Sequence, residues 1–201
     1  MKLEIFFDYA SPFAYLGAMQ AAPVAARHGA ELAWSPFLLG GLFKALGTPN
    51  VPLAVMPEAK RAQVLLDLDR WAEHWGVDFA WPSRFPMNTV AALRMTLLLP
   101  NEARGPLVRA LFRAYWVEDG DLADPATLCA VADSVGLDGA ILHAAVRTPR
   151  ARELLFAATR AAEEAGVCGA PCFRVGRLLF WGQDRLAFVE KALDGWVPAR
   201  G

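Results

Sequence analysis

Cysteine is scarce in this chain: its 201 residues include three, Cys129, Cys168 and Cys172. No two of them form a Cys-x-x-Cys pair, so the spacing of a redox dithiol motif is absent. An odd number of cysteines in a cysteine-poor chain indicates reduced thiols, as in a cytosol, and we expect a cytoplasmic protein. Cys168 and Cys172 flank a Gly-Ala-Pro loop, but two thiols without a nearby histidine do not make a zinc site. We therefore expect no bound metal.

A strong charge of one sign and long apolar runs are also lacking. The formal net charge is −1, and no basic patch or long charge run occurs, which argues against nucleic acid as a partner. No uninterrupted apolar stretch reaches the ~18 residues that a bilayer span requires, so we expect no membrane segment. A strand pattern begins almost at the first residue, and the sequence predicts no signal peptide. Apolar residues are abundant instead, at 55% of the chain, which is enough for a substantial core.

The first pattern in the chain is a short strand followed by a turn and a helix. Leu3, Ile5 and Phe7 alternate with other residues and end at Asp8, as in a buried strand. Ser11-Pro12 has the composition of a helix start, since serine is a good N-cap and proline fits the first helical position. A hydroxyl is thus expected at the positive end of a helix, which attracts an anion such as a thiolate. Taken alone, the pair is more often only a helix cap.

The remaining chain has a β-rich part at each end and a helical part between them. Residues 31–37 alternate with period two and predict a second strand, so the chain begins with a parallel βαβ unit. A short helix at 42–46 and a loop at 48–52 follow. Six helical segments without a strand pattern come next, at residues 58–75, 90–99, 106–117, 124–135, 138–146 and 149–165. Residues 172–175 and 178–181 then predict a β-hairpin, and 184–193 a last helix.

This order of elements, β-α-β, helical insert and β-β-α, is similar to the thioredoxin fold carrying a large all-helical insertion. We therefore predict an α/β protein with a discontinuous thioredoxin-like domain at residues 1–39 and 166–201 and a helical insertion domain at 40–165. Redox members of that superfamily carry Cys-Pro-x-Cys before the first helix, where this chain has Ser11-Pro12-Phe13-Ala14. Disulfide exchange needs an attacking thiolate, which neither serine nor alanine supplies, so redox chemistry at this turn is excluded.

A loop before the predicted hairpin is the second candidate site. Residues 166–173 are similar to a Gly-Val-x-Gly-Val-Pro-Thr-Phe stretch of the same superfamily, in which the proline is cis and faces the active-site turn. A cis Ala170-Pro171 bond would leave the Ala170 N–H and C=O unpaired, free to pair with a peptide-like ligand. An ordinary loop explains the motif alone equally well. Cys172 replaces the usual threonine, and we favour a small core residue over a thiol beside the site.

The segment at residues 180–186 is the third candidate. Gln183 or Asp184 is expected to start the last helix, where backbone donors attract a carboxylate. Gly182 lets a ligand backbone approach, and the Asp184 side chain suits an ammonium group. A helix cap with a surface Asp184–Arg185 pair is the simpler alternative.

Taken together, these stretches resemble the family of 2-hydroxychromene-2-carboxylate isomerases, which is close to the kappa class of glutathione transferases. Five motifs carry the resemblance and span nearly the whole chain in order. They are Asp8-Tyr9-Ala10-Ser11-Pro12-Phe13-Ala14-Tyr15-Leu16, Phe37-Leu38-Leu39-Gly40-Gly41-Leu42-Phe43-Lys44, Phe85-Pro86-Met87-Asn88-Thr89, Gly169-Ala170-Pro171-Cys172-Phe173 and Phe180-Trp181-Gly182-Gln183-Asp184-Arg185-Leu186.

The resemblance implies that glutathione is the cofactor. Its thiol would lie against Ser11, its cysteinyl amide would pair with Ala170, and its γ-glutamyl end would meet Gln183 and Asp184. The glutathione-binding set is therefore Ser11, Ala170, Pro171, Trp181, Gly182, Gln183 and Asp184, with Ser11 also catalytic. The family's enzymes are commonly dimers, so a homodimer is expected.

The resemblance also implies a site for an aromatic carboxylate. The matching positions are Lys44, Asn50, Val51 and Asn88, with Lys44 as the carboxylate partner. Outside the family context, Lys44 is more often a solvated surface lysine, and a helix cap explains Asn88 equally well. Tyr9 and Trp81 either line the aromatic pocket or belong to the core.

The implied activity is glutathione-dependent interconversion of 2-hydroxychromene-2-carboxylate and trans-o-hydroxybenzylidenepyruvate-type acids in aromatic hydrocarbon catabolism. A double bond does not rotate at ambient temperature, so such an isomerisation calls for reversible addition of a thiolate. Ser11 and the helix N-terminus would lower the pKa of the thiol, and Lys44 or Asn88 would donate to the developing enolate oxygen. Two alternatives stay open: a kappa-like glutathione transferase, and a redox-inactive thioredoxin-like module that binds peptides at the Ala170-Pro171 edge.

Overall fold

The chain forms a four-stranded sheet surrounded by helices. The computed structural model describes residues 1–199, and the following bounds refer to them. The strands are β1 (Lys2–Phe7), β2 (Glu31–Pro36), β3 (Cys172–Val175) and β4 (Leu178–Trp181). The helices are α1 (Pro12–Arg27), α2 (Leu39–Leu46), α3 (Pro52–Val55), α4 (Glu58–Trp75), α5 (Val90–Leu97), α6 (Asn101–Trp116), α7 (Pro125–Ser134), α8 (Gly139–Ala145), α9 (Pro149–Glu164) and α10 (Leu186–Leu193). A 3₁₀ turn at Gln183–Arg185 precedes α10.

The sheet has the strand order β2-β1-β3-β4. Strand β1 pairs with β2 in parallel across α1, and it pairs with β3 in antiparallel on its other side. Strands β3 and β4 form the predicted antiparallel hairpin. The parallel βαβ unit, the C-terminal hairpin and the last helix make this a thioredoxin-like α/β fold, as the order of sequence patterns predicts.

Several helix boundaries differ from the sequence prediction. Helix α6 begins at Asn101 and contains Pro106, whereas the pattern placed its start at Pro106. The reason is tertiary: the Asn101 carboxamide accepts a hydrogen bond from the Trp34 N–H (2.8 Å) and donates one to the Leu32 carbonyl (2.9 Å), which fixes the helix end against β2. Helix α2 begins at Leu39, three residues early, and the predicted loop at 48–52 runs into the short α3.

The hydrophobic core is shared between the sheet and the helical segment. Leu3, Ile5 and Phe7 of β1 are fully buried. The Phe7 ring packs against Phe112 of α6, with ring centroids 5.6 Å apart, and against Trp34 at 6.0 Å. One continuous cluster therefore joins both parts of the chain. The division into two domains at residues 39/40 and 165/166 stays a prediction.

Over residues 1–199, no helix combines the length and the apolar character that crossing a membrane would require. Within the same residues, no three His, Cys, Asp or Glu side chains are grouped so as to hold a metal ion.

Candidate active site

A cleft of about 700 Å³ opens at the start of α1, between the end of the sheet and the helical segment. This volume lies in the range of small-molecule sites. One wall comes from the turn after β1, the loop before β3 and the segment after β4. The opposite wall comes from α2, α4 and the loop before α5. All three stretches that the sequence singled out thus meet at one cleft.

Ser11 lies at the bottom of this cleft as the N-cap of α1, and only 6% of the residue is exposed. Its Oγ accepts a hydrogen bond from the Ala14 N–H (3.1 Å) and donates one to the Ala170 carbonyl (3.0 Å). Pro12 occupies the first helical position, as predicted. The hydroxyl therefore lies in the positive field of the helix N-terminus and contacts the loop before β3.

The Ala170–Pro171 peptide bond is cis, as the resemblance implied. The expectation that both backbone groups of Ala170 are unpaired is wrong for the carbonyl, because this loop lies against the start of α1 and the Ser11 hydroxyl donates to it. The Ala170 N–H has no hydrogen-bond partner among residues 1–199. A Cβ at Gly169 would lie 2.5 Å from the Trp181 indole nitrogen, so any larger residue there would require the Trp181 ring to move.

The segment after β4 is held beside this loop by a backbone hydrogen bond from the Gly182 N–H to the Pro171 carbonyl (2.9 Å). Gly182 has φ 110°, a backbone conformation that side-chain-bearing residues rarely adopt. Gln183 begins the 3₁₀ turn and is 2% exposed. Its Oε1 accepts a hydrogen bond from the Trp75 indole N–H of α4 (2.7 Å), which leaves the amide NH₂ as the group it offers to a ligand.

Asp184 is exposed at the cleft and forms an ion pair with Arg185. The surface pair that sequence reasoning offered as an alternative is thus present, and it lies on the wall of the cleft. Trp181 and Gly182 also line the cleft, whereas Pro171 does not. Pro171 instead packs on α1, where a Cβ at Gly17 would lie 2.9 Å from its ring.

Asp8 is a buried cleft residue that the sequence did not single out as functional. It is 1% exposed, and its carboxylate accepts three hydrogen bonds, from the Ala10 N–H (3.1 Å), the Leu39 N–H (2.8 Å) and the Thr89 hydroxyl (2.6 Å). Burial raises the pKa of the Asp8 carboxyl, and these hydrogen bonds act in the opposite direction. Its place in the residue 8–16 motif was the signal available in the sequence.

The predicted substrate residues are only partly brought together. Asn50, Val51 and Asn88 line the cleft, and the Asn88 side chain also accepts a hydrogen bond from the Val90 N–H (3.1 Å). Lys44 does not line the cleft, and its side chain is exposed on α2. Successive helical residues point about 100° apart, so when Phe43 faces the cleft, Lys44 faces solvent. The role of Lys44 as carboxylate partner stays a prediction, and the position of Lys44 outside the cleft lining does not support it.

Aromatic residues divide between the core and the cleft in a way the sequence left open. Tyr9 is fully buried in the core, with its hydroxyl bonded to Thr96 Oγ1 (2.7 Å), and Trp81 packs on Phe85 outside the cleft lining. Trp71 does line the cleft and stacks on Trp75, with ring centroids 5.7 Å apart. Helix α4 thus contributes one aromatic side chain, Trp71, to the cleft lining.

Cys172 is a core residue, as favoured from the sequence. It is 1% exposed and packs among the side chains of a small cluster that includes Phe6, Phe37 and Leu42. Burial raises the pKa of its thiol to about 12, so the thiolate is suppressed at neutral pH.

Comparison with known proteins agrees with this geometry. Residues 2–194 match the family model of the DSBA-like thioredoxin domain. The chain is 30% identical to a 2-hydroxychromene-2-carboxylate isomerase of Sphingobium xenophagum over 192 residues, which are 95% of this chain and 97% of the relative. It is 24% identical to the human glutathione S-transferase kappa 1, over 97% of this chain and 92% of that protein.

A solved structure shares the same fold. The structure of a selenomethionine 2-hydroxychromene-2-carboxylate isomerase superposes with a TM-score of 0.84 at 24% identity, covering 97% of this chain and 95% of that one. The chain therefore belongs to the DSBA-like thioredoxin domain family, and within it to the family of 2-hydroxychromene-2-carboxylate isomerases.

Proposed function

We propose that this protein is a glutathione-dependent isomerase that interconverts 2-hydroxychromene-2-carboxylate and trans-o-hydroxybenzylidenepyruvate-type aromatic acids in aromatic hydrocarbon catabolism. The relatives' names support the reaction type. The observation that carries the proposal is the Ser11 hydroxyl, which lies at the N-terminus of α1, inside a cleft, against the cis Ala170–Pro171 loop.

The residues of the cleft fit glutathione. The Ala170 N–H lacks a partner among residues 1–199 and is available to a peptide carbonyl. The Gln183 amide offers donors to a carboxylate, and the exposed Asp184 carboxylate suits an ammonium group. When bound, glutathione supplies a thiol whose ionised form is a nucleophile that adds reversibly to conjugated carbon.

Ser11 holds negative charge at the reacting position. Its Oγ keeps the Ala14 N–H bond through a lone pair, so its proton is free to point elsewhere. In the ligand-free arrangement the proton goes to the Ala170 carbonyl. An anionic acceptor binds a hydroxyl more strongly than a neutral carbonyl, so the hydroxyl is expected to turn towards a thiolate.

The opposite wall holds and orients the aromatic acid. Trp71, Phe43 and Met56 offer apolar surface to a planar ring. Because Lys44 faces solvent, the Asn50 and Asn88 carboxamides are the donors at this wall for a developing enolate oxygen. The apolar surroundings also strengthen these hydrogen bonds.

The test is turnover of trans-o-hydroxybenzylidenepyruvate by the purified chain with and without glutathione. We expect glutathione to be required but not consumed, and Ser11→Ala to lower kcat/KM by about 100-fold or more. Loss of the cap should cost about 1 kcal/mol of stability, so the variant should stay folded by circular dichroism. Ser134→Ala, which removes an exposed hydroxyl on α7 away from the cleft, is the matched control. A near-native kcat/KM for Ser11→Ala contradicts the proposal.

Other outcomes of the same assay identify the alternatives. Consumption of glutathione with release of an adduct would indicate a kappa-like transferase, and absence of glutathione binding in calorimetry would favour the peptide-binding module. A cytoplasmic location and a homodimer remain part of the proposal, and sedimentation of the pure protein tests the dimer.

A further inference from the structure

A second cavity, of about 190 Å³, adjoins the main cleft and shares Asn88 and Val90 with its lining. Three basic side chains from different segments converge on it: Arg94 from α5, His143 from α8, and Arg147 just after α8. The segment entering α7 contributes Ala123 and Pro125 to the lining. The proposed isomerisation uses none of the three basic groups.

The cavity has no acidic side chain in its lining. Neither Arg94 nor Arg147 forms an ion pair within residues 1–199, whereas arginines elsewhere, such as Arg160 and Arg174, pair with glutamates. Asp124 lies between the lining residues Ala123 and Pro125 in sequence, and its carboxylate interacts electrostatically with His143. It also caps α7 by accepting hydrogen bonds from the N–H and the hydroxyl of Thr127 (both 2.9 Å). Two guanidinium groups thus lie at one small cavity, and neither is ion-paired with a carboxylate of residues 1–199.

Arg94 provides a second and independent observation. Its Nη1 donates to the Val146 carbonyl at 3.3 Å, but its Nε is buried and has no hydrogen-bond partner. Among residues 1–199, it is the only buried side-chain nitrogen or oxygen atom without a hydrogen-bond partner. An unpaired buried donor, and a charged one above all, is unfavourable. The Arg94 guanidinium therefore carries positive charge beside the cavity that no protein acceptor at Nε offsets.

We propose that this cavity is a binding site for a small oxyanion, a carboxylate or a phosphate, held by Arg94, Arg147 and His143. Guanidinium groups recognise such anions because their parallel N–H donors match two oxygens at once. The volume is below that of sites for drug-sized ligands, so the ligand is an inorganic anion or an acid of a few atoms and not an aromatic acid. The proposal is independent of the isomerase assignment.

The three histidines of the chain give a site-specific test. His28, His74 and His143 are its complete set, and only His143 lines this cavity. Titration of the full chain with inorganic phosphate, followed by NMR of the imidazole C–H resonances, should shift the His143 signals and leave those of His28 and His74 in place. The same titration with acetate identifies the source: a response to phosphate alone points to a phosphate site, and a response to both points to a general oxyanion site.

Two arginine variants provide the matched comparison. Arg147→Ala should weaken phosphate binding about tenfold or more, since it removes a charge-assisted hydrogen bond. Arg150→Ala removes the same charge from a nearby exposed position outside the cavity lining and should leave the affinity unchanged. Arg94→Lys keeps the charge but removes the fork, and it should also weaken binding. An unmoved His143 with both probes, or equal losses for Arg147→Ala and Arg150→Ala, would overturn the proposal.

Discussion

One oxygen atom, Ser11 Oγ, performs two tasks in this molecule. It caps α1 by accepting a hydrogen bond from the Ala14 N–H, and it donates a hydrogen bond to the Ala170 carbonyl on the same wall of the cleft. The capping explanation and the functional explanation of Ser11-Pro12 are therefore compatible. The cap fixes the position of the oxygen, while the proton stays free to change partner.

Two cysteines near the cleft should differ sharply in reactivity. Cys168 is exposed, whereas Cys172 is buried and the pKa of its thiol is raised to about 12. Because the thiolate is the nucleophile, iodoacetamide at pH 8 should modify Cys168 and leave Cys172 intact in the folded chain. Peptide mass spectrometry measures both sites, and the denatured chain, in which both react, is the control. Comparable alkylation of Cys172 in the folded chain would contradict its place in the core.

At the scale of elements, α4 reaches the segment after β4 through one hydrogen bond. The Trp75 indole N–H donates to Gln183 Oε1, which fixes which end of the amide is presented to the cleft. Trp75→Phe keeps an aromatic ring next to Trp71 but removes this donor. If the protein binds glutathione as proposed, we expect the affinity measured by calorimetry to fall about two- to tenfold. This fold-change corresponds to the net free energy of one hydrogen bond.

The matched control is Trp81→Phe, because Trp81 lies outside the cleft lining. Equal affinities for Trp75→Phe and the wild type would remove the orienting role of Trp75. Absence of glutathione binding in all three proteins would count against the proposed function instead.

The elements that the sequence predicts well are those fixed by local chemistry. Ser11-Pro12 sets the start of α1, and the alternation of residues around Gly176 sets the hairpin. The start of α6 depends on bonds from Asn101 to β2, which lies far away in the sequence. The exposed position of Lys44 depends on which face of α2 packs inward, and sequence similarity to a family motif does not contain that information.

At the scale of the whole molecule, Asp8 joins the sheet to the helical segment. Its carboxylate accepts from Leu39 at the start of α2 and from Thr89 before α5, which lie 31 and 81 residues away in sequence. No local pattern identifies such partners. The cleft therefore keeps its shape through a buried acid that the sequence shows only as a turn residue.

Burial of Asp8 should leave a signature in the pH dependence of stability. Its folded-state pKa is raised, so its contribution to the free energy of unfolding is fully present below the unfolded value and is lost as the pH rises through the folded value. The wild type should therefore lose stability relative to Asp8→Asn as the pH rises above the unfolded value of 3.8, as measured by urea unfolding.

Asp124 supplies a control of opposite sign for that experiment. Hydrogen bonds from the backbone N–H and the hydroxyl of Thr127 lower its pKa, so its contribution is present above the unfolded value and lost as the pH falls through the folded one. The wild type should gain stability relative to Asp124→Asn as the pH rises through the acidic range. For each variant, the measured quantity is the difference in unfolding free energy between the wild type and that variant. If this difference changed with pH in the same direction for Asp8→Asn and Asp124→Asn, the buried environment described for Asp8 would be contradicted.

The central claim is that the Ser11 hydroxyl and the N-terminus of α1 hold the sulfur of glutathione as an anion. The most direct measurement is the ultraviolet absorbance of the thiolate in the complex of glutathione with a chain whose three cysteines are replaced by alanine, titrated with pH. The account predicts that the pKa of the bound thiol is lower than that of free glutathione, and that Ser11→Ala raises it while glutathione stays bound. An unchanged pKa on binding, or the same lowered pKa in Ser11→Ala, would contradict the claim.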